Sequence, residues 1–283
     1  LYSDRPLQGT LSVLPAHWES RVLRWPPRRL WTQVRLSYEM LVRRPDVLFI
    51  PAHVCPIIHP ERTVMTVHDI AAVRFPETYD WFERWYSLRS ARFAVRHLAA
   101  VIVPSEFVKK ELLQLVQHDV SLAHNIAVVP HGFDEQYAAV PDQEQAQMLL
   151  EQYHIATPYV LSVGRLEEKK NTAGIIEAFG RVRSRVRAEL ILVGQPGHGY
   201  EKVKEAIVRS PYKHDIRLLG WLPPEDVSVL MHQARAFVFP SFSEGFGIPV
   251  LEALAAGTPV IAGTGSSLEE VGGGAVTYVD PGN

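Results

Sequence analysis

An α/β chain of two doubly wound parallel-sheet domains is predicted by three features of this 283-residue sequence. Short apolar runs rich in β-branched residues recur in two series, each run is followed by a helical pattern, and a polar, proline-containing segment separates the series. The runs are continuous rather than alternating, and a strand apolar on both sides must be covered on both faces, as in a parallel sheet between helix layers. With 47% hydrophobic and 21% charged residues, the chain can bury a core and matches neither disordered nor membrane-protein composition.

The first series comprises DVLFI at 46–50, RTVMTV at 62–67, AVIV at 100–103 and IAVV at 126–129. The second comprises YVLSV at 159–163, ELILV at 189–193, IRLL at 216–219, AFVF at 236–239 and PVIA at 259–262. Between them DEQYAAVPDQEQAQ, residues 134–147, is the expected linker, running into a helix that ends near Tyr153. The boundary is placed near Tyr137, with an amino-terminal domain over 1–137 and a carboxyl-terminal domain over 138–283. A domain of this kind should open with strand, Gly-rich turn and helix, but LYSDRPLQGTLSVLP holds at most the tail of such a unit. The sequence also stops at YVDPGN, directly after a strand, so terminal segments are expected to be missing.

Lys plus Arg number 29 against 31 Asp plus Glu, a net charge of -2, so no nucleic-acid partner is expected and any anion site must be local. The single cysteine, Cys55, excludes an intramolecular disulfide and any Cys-x-x-Cys site and suits a reducing compartment. No apolar run approaches the ~20 residues of a bilayer span, and Leu1 opens no export signal, so the expected location is cytoplasmic. Peripheral contact with the inner membrane face is the added expectation for residues 21–44. That stretch carries Arg21, Arg24, Arg28, Arg29, Arg35, Arg43 and Arg44 with Trp25 and Trp31 against one acid, Glu39. An amphipathic surface helix after a Pro-Pro turn is the plainer reading.

Two loops carry the chemistry. GRLEEKKN at 164–171 joins a strand to a helix, which puts its cations at a strand's carboxyl end beside a helix N-terminus, a place for phosphate. Gly164 permits the turn, Asn171 has N-cap chemistry, and Arg165 with Lys170 would clamp a diphosphate; a solvated charged loop is the plainer alternative. In PSFSEGFGIPVLEALAAGTPVIA, residues 240–262, a turn leads into a helix starting near Ile248 with Pro249 in its first turn. The amides of Phe246, Gly247 and Ile248 would face an anion, with Gly245 and Gly247 allowing close approach. Glu244 and Glu252, eight residues apart, suit hydroxyls of a sugar at one end and a ribose at the other, although a helix with acids near its positive end is a common arrangement.

In the first series His68 and Asp69 close the strand RTVMTV, so both are expected at a sheet's carboxyl edge, with His68 entering a cleft or held structurally by a carboxylate. Ser105 has N-cap chemistry for SEFVKKELLQL, with Glu106 favourable in the first turn. His131 and Gly132 precede the linker as hinge, cleft wall or ordinary turn. GQPGHG at 194–199 reads as a βα turn.

GRLEEKKN followed by EGFGIPVLE resembles the retaining family 4 glycosyltransferases with their E-x7-E signature, and HDIAAVRFPE at 68–77, PSEFVKKEL at 104–112 and VVPHGFD at 128–134 resemble them too. The resemblance covers the chain from about Asp46 onward. It implies a GT-B fold, two facing Rossmann-like domains with the cleft between them. It also implies that Arg165 and Lys170 bind the donor diphosphate, Glu244 the transferred sugar and Glu252 the ribose hydroxyls, with His68 near the sugar. The implied activity is metal-independent, retaining transfer of a hexose, mannose from GDP-mannose favoured, from a nucleoside-diphosphate sugar to a saccharide or lipid-linked acceptor. No cofactor is expected. Two departures stand out: the family's N-terminal Gly-rich loop is not seen, and Glu269 in SSLEEV replaces the usual proline. A nucleotide-sugar 2-epimerase of the same shape and a non-catalytic nucleotide-sugar-binding module are the alternatives. A dinucleotide dehydrogenase is disfavoured because G-x-G-x-x-G is absent after every strand.

Overall fold

The computed structural model describes residues 1–25, 30–51, 54–78, 81–117, 119–155 and 158–283. Arg28 and Arg29 of the basic stretch lie outside the described residues. By contacts the chain divides into two compact units: Leu1–Val73, Tyr79–Val103 and Lys109–Val129 form the first, and Arg74–Thr78, Pro104–Val108 and Pro130–Asn283 the second.

The first unit opens with two short strands, β1 (Tyr2–Ser3) and β2 (Arg21–Val22), paired in parallel. Next come a wide helical turn over Trp31–Leu36 and helix α1 (Ser37–Val42). The predicted runs then appear as β3 (Leu48–Ile50), β4 (Thr63–Thr66), β5 (Ala100–Val103) and β6 (Ile126–Val128), all parallel in the order β3-β4-β5-β6. Helix α2 (Trp81–His97) links β4 to β5 and α3 (Glu106–Leu115) leads from β5 towards β6. Crossovers of this length are what parallel pairing requires. Met65, Val101 and Val103 are fully buried, as strands covered on both faces should be.

Among the described residues of the basic stretch, Arg21, Arg35 and Arg43 are paired. Glu39, 4% exposed, draws Arg35 to 3.0 Å, Arg43 to 3.5 Å and Arg21 to 3.8 Å, while Arg21 also pairs with Glu19 at 2.8 Å. Trp31 Nε1 donates to the Leu23 carbonyl at 2.6 Å. Three of the arginines are thus spent on one buried carboxylate, which must be paired to be tolerated there. Arg24 and Arg44 are exposed beside this cluster. Cys55 is buried, and burial pushes its thiol up to about 11, which leaves it protonated and unreactive. No helix among the described residues is long and apolar enough to cross a membrane.

The second unit continues with α4 (Gln143–Gln152), β7 (Tyr159–Val163), α5 (Thr172–Val182), β8 (Glu189–Val193), α6 (Tyr200–Arg209), β9 (Ile216–Gly220) and α7 (Pro224–Gln233). It closes with β10 (Ala236–Phe239), α8 (Ile248–Ala255), β11 (Val260–Gly263), α9 (Leu268–Gly272) and β12 (Val276–Val279). The six strands are parallel in the order β12-β11-β10-β7-β8-β9. The chain winds outward one way from β7 and the other way from β10, so these neighbours flank the topological switch point, where the loops at their carboxyl ends diverge and leave a crevice. Apolar clusters fill both faces of this sheet, one around Tyr159, Phe237 and Phe239, the other around Ile176, Leu190 and Leu192.

Candidate functional site

The loop after β7, residues 164–171, and the loop after β10, residues 240–247, meet at the switch point. Lys169 supplies the joint: its carbonyl accepts from the Phe242 amide at 3.0 Å and from Ser241 Oγ at 3.0 Å. Beside this joint Lys170 Nζ lies 2.5 Å from Glu244 Oε1 and 5.0 Å from the centre of the Phe239 ring. The Lys170 side chain is 19% exposed and that of Glu244 9%, so this is a largely desolvated ion pair and depends on both partners. Two of the predicted residues are therefore joined directly, although 74 positions separate them.

The loop after β7 is also zipped to the loop after β8. Gly164 N donates to Val193 O, Leu166 N to Gln195 O, Gly197 N to Leu166 O and Glu168 N to His198 O, at 2.9, 2.9, 3.0 and 3.0 Å. Gly194, at φ 143°, lets these backbones meet, for a Cβ there would lie 1.9 Å from Gly164 O. GQPGHG is thus a βα turn, as its sequence indicates. Arg165 stands out from this ribbon with its side chain 68% exposed and Nε 3.6 Å from Glu167 Oε2.

Asn171 departs from expectation. It occupies the N-cap position of α5 in the left-handed region, φ 55°, and makes no side-chain cap; its Nδ2 donates to Pro281 O at 2.8 Å. Capping needs an extended backbone that turns the side chain back over the first amides, and the left-handed conformation aims it elsewhere.

Helix α8 begins at Ile248 with Pro249 in its first turn, as predicted. Gly247 at φ 106° makes the corner, and a Cβ there would sit 2.3 Å from Leu268 Cδ2, so only glycine fits. Three consecutive carbonyls ahead of the helix are tied by serine hydroxyls. Ser267 Oγ lies 2.8 Å from Glu244 O and 2.9 Å from Phe246 O, and Ser105 Oγ donates to Gly245 O at 2.7 Å. In a trans peptide N–H and C=O point oppositely, so anchoring these carbonyls turns the amides of Gly245, Phe246 and Gly247 away from the serines. Among the described residues no protein acceptor takes up the amides of Phe246, Gly247 and Ile248. A row of oriented donors at a helix N-terminus favours an anion.

Ser105 caps α3 as its chemistry suggested, accepting from Val108 N at 3.2 Å. Glu270 completes that helix end by accepting from the Glu106 and Phe107 amides at 2.8 and 2.6 Å. Glu269, at the position where proline is usual, accepts from Gly265 N at 2.9 Å and so closes the local turn by other means. His131 packs edge-on against Phe246, ring centres 5.3 Å apart. Neither Ser267 nor Glu270 was nominated from the sequence, for both act on backbone groups remote in the chain.

Glu252 lies one helical turn into α8, half-buried. Burial and the neighbouring Asp134 carboxylate raise its carboxyl from the ordinary 4.5 to about 7. Tyr137, whose hydroxyl is pushed to about 12 by burial and by Glu252, Asp134 and Glu225, lines a cavity of about 610 Å³ together with Gly164, Arg165, Gly194 and Trp221. No sequence pattern pointed to Tyr137 or Trp221. A carboxyl whose folded value lies above its unfolded one takes up a proton on folding, so this stability is present below about pH 4.5 and is lost as pH rises through about 7. Glu252→Gln should therefore raise the melting temperature at about pH 8 by roughly 2 to 4 °C, about 1 kcal/mol once solvent screening is allowed for, and the gain should shrink towards zero near pH 4. A gain independent of pH would show that the Glu252 proton is not responsible.

His68 lies in the first unit, just beyond β4, with Nε2 donating to Pro51 O at 2.9 Å. Asp69 Oδ1 accepts from Ala71 N at 3.3 Å. No group of three or more His, Cys, Asp or Glu side chains among the described residues is arranged to hold a metal ion.

Residues 3–137 match the family model described as Glycosyltransferase Family 4, and residues 152–281 match that of Glycosyl transferases group 1. O-antigen chain mannosyltransferase B of Escherichia coli is 32% identical over 224 residues, covering 78% of this chain and 58% of its own length. O-antigen chain mannosyltransferase RfbU of Salmonella typhimurium is 25% identical over 229 residues, covering 81% and 59%. The chain thus spans less than two thirds of these relatives. Among solved structures, Anabaena HepE in complex with UDP and glucose superposes with a TM-score of 0.71 at 21% identity, over 94% of this chain and 73% of that one. WaaG, a glycosyltransferase involved in lipopolysaccharide biosynthesis, gives 0.69 at 16%, over 95% and 75%.

Proposed function

Because the chain belongs to the family 4 and group 1 glycosyltransferases over residues 3–137 and 152–281, we propose that it transfers a hexose, with retention, from a nucleoside-diphosphate sugar to an acceptor hydroxyl. The observation that carries this reading is the pairing of Lys170 with Glu244 beside the unclaimed amides of α8, a cation, a carboxylate and an anion cradle in one crevice. Bond breaking at the anomeric carbon leaves its electron pair on the diphosphate. Arg165, Lys170 and the α8 amides stabilise that charge as it develops, which is where stabilisation accelerates a reaction.

The acceptor hydroxyl attacks from the side the diphosphate leaves, and its proton passes to the leaving phosphate oxygen; front-face attack keeps the anomeric configuration. Glu244 accepts hydrogen bonds from the sugar hydroxyls while His68 steadies the same sugar. Glu252 receives the ribose hydroxyls, and the cavity beside Tyr137, Arg165 and Trp221 receives the base. Countercharge from side chains and amides makes a metal unnecessary. Mannose from GDP-mannose is the favoured donor, supported by the mannosyltransferase names of the two enterobacterial relatives. A saccharide or lipid-linked saccharide is the acceptor, nucleic acid has no part, and the reaction is placed in the cytoplasm.

A panel of nucleotide sugars, assayed for binding and slow hydrolysis with and without chelator, tests this. GDP-mannose should bind and turn over equally in both conditions, with the anomeric configuration retained in the product. Glu252→Ala should weaken nucleoside diphosphate and donor alike, because ribose is common to both, whereas Glu244→Ala should spare the nucleotide. A requirement for Mg²⁺, or equal losses of nucleotide affinity from the two glutamates, would overturn the corresponding assignment. Recovery of a 2-epimerised sugar without transfer would establish the epimerase instead.

A further inference from the structure

The loop between β11 and α9, residues 264–267, carries no charge, yet it grips the backbone that leads into α8. Ser267, 0% exposed, stands directly before α9 with φ -62° and ψ -12°. A serine at such a place ordinarily adopts an extended backbone and caps its own helix. Ser267 is already helical and makes no side-chain cap. The Leu268 amide is left to Ser266 Oγ at 3.5 Å, and the amides of Glu270 and Val271 go to the Ser267 carbonyl. The Ser267 hydroxyl is directed instead at the loop before α8, 2.8 Å from Glu244 O and 2.9 Å from Phe246 O. The next residue acts on the same loop. Leu268 is fully buried over Gly247, where a Cβ would collide with its Cδ2, and the Tyr278 hydroxyl donates to its carbonyl at 3.2 Å.

Glycine makes this grip necessary. Gly245 and Gly247 let the backbone approach a ligand closely, but glycine accepts both signs of φ, so the peptides beside them are also free to turn over. A peptide that turned over would present its carbonyl to an anion in place of its amide. The two carbonyls at Ser267 belong to the peptides whose amides are those of Gly245 and Gly247. N–H and C=O point oppositely in a trans peptide, so one hydroxyl, its hydrogen shared between two carbonyls, fixes both amides on the side away from itself. Neither amide meets a protein acceptor among the described residues. Such a cradle stabilises developing charge only if its dipoles are aimed beforehand, because reorienting them during the reaction would cancel the gain.

We propose that Ser267 is a positioning residue for the diphosphate, holding the 244–245 and 246–247 peptides with their amides towards the ligand and acting from the side opposite it. The assignment rests on the reading of the α8 N-terminus as the diphosphate site and names what aims it. Ser105 holds the carbonyl of the peptide between these two but also caps α3, so its removal would mix two losses. Ser267 caps nothing with its side chain and gives the cleaner variant.

Calorimetry of Ser267→Ala with GDP and UDP, each set against its own nucleoside, tests this. The variant should lose about 10-fold in affinity for whichever diphosphate the parent binds, less than the ~10² of deleting an anion-stabilising donor outright. Affinity for the nucleoside should stay within about threefold, because base and ribose meet other groups. Loss of one shared hydrogen bond should lower the melting temperature by roughly 2 to 4 °C and leave the protein folded. Ser267→Cys nearly keeps the volume but is a weak donor, so it should lose diphosphate affinity as alanine does, and it carries the test alone if alanine disturbs the fold. Equal losses for diphosphate and nucleoside, unchanged diphosphate affinity in folded Ser267→Ala, or full affinity in Ser267→Cys overturns the assignment and leaves the diphosphate reading of α8 standing. A parent that binds neither GDP nor UDP overturns that reading, and Ser267 with it.

Discussion

Lys170→Ala is expected to lower kcat/KM by ~10² to 10³, the scale of removing one group that stabilises charge in a transition state. The ion pair makes this variant informative and also complicates it. Removing the ammonium leaves Glu244, 8% exposed, without the cation 2.5 Å away, so a loss of stability accompanies the loss of rate. A cycle of Lys170→Ala, Glu244→Gln and the double variant separates the two effects. In both cases the double variant should regain melting temperature. If Lys170 only neutralises Glu244, the double variant turns over as fast as Glu244→Gln alone; if Lys170 acts on the diphosphate, it turns over ~10²-fold more slowly than Glu244→Gln alone. Arg165→Ala is the cleaner companion, because an exposed arginine 3.6 Å from Glu167 contributes little to stability. It should lose a similar factor in turnover with a nearly unchanged melting curve, and near-normal turnover at saturating donor would remove Arg165 from the clamp.

His68→Ala is expected to cut kcat by ~10² or more while leaving nucleoside diphosphate affinity within about threefold. His68 belongs to the first unit, whereas Arg165, Lys170, Glu244 and Glu252 belong to the second, so nucleotide binding alone should not register its loss. The structural alternative includes the hydrogen bond to the Pro51 carbonyl at 2.9 Å. Its removal costs ~1 kcal/mol, which a melting curve reads as a shift of roughly 2 to 4 °C. Single-turnover rates and melting curves on the same preparation decide the matter: a destabilised but fully active variant would confine His68 to that structural role.

What the sequence by itself determined is what neighbours in the chain determine. Every run named as a strand is a strand, because a short continuous apolar run has one stable use, the middle of a covered parallel sheet. Pro249 in the first turn of α8 and the Ser105 cap were legible for the same reason, since each is settled within three or four residues. Tertiary structure decided the partners. That β10 lies beside β7 is a matter of sheet order, and only this order brings Lys170 to Glu244 across 74 residues. Ser267 at the carbonyls of Glu244 and Phe246, Glu270 at the amides of α3, and Glu39 among its arginines leave no periodic trace. Hydrogen-bond and ion-pair satisfaction depends on what folding brings close, not on spacing along the chain. Asn171 shows the reverse failure: its composition suits a cap, but a left-handed backbone imposed by the surrounding loops turns its amide to Pro281.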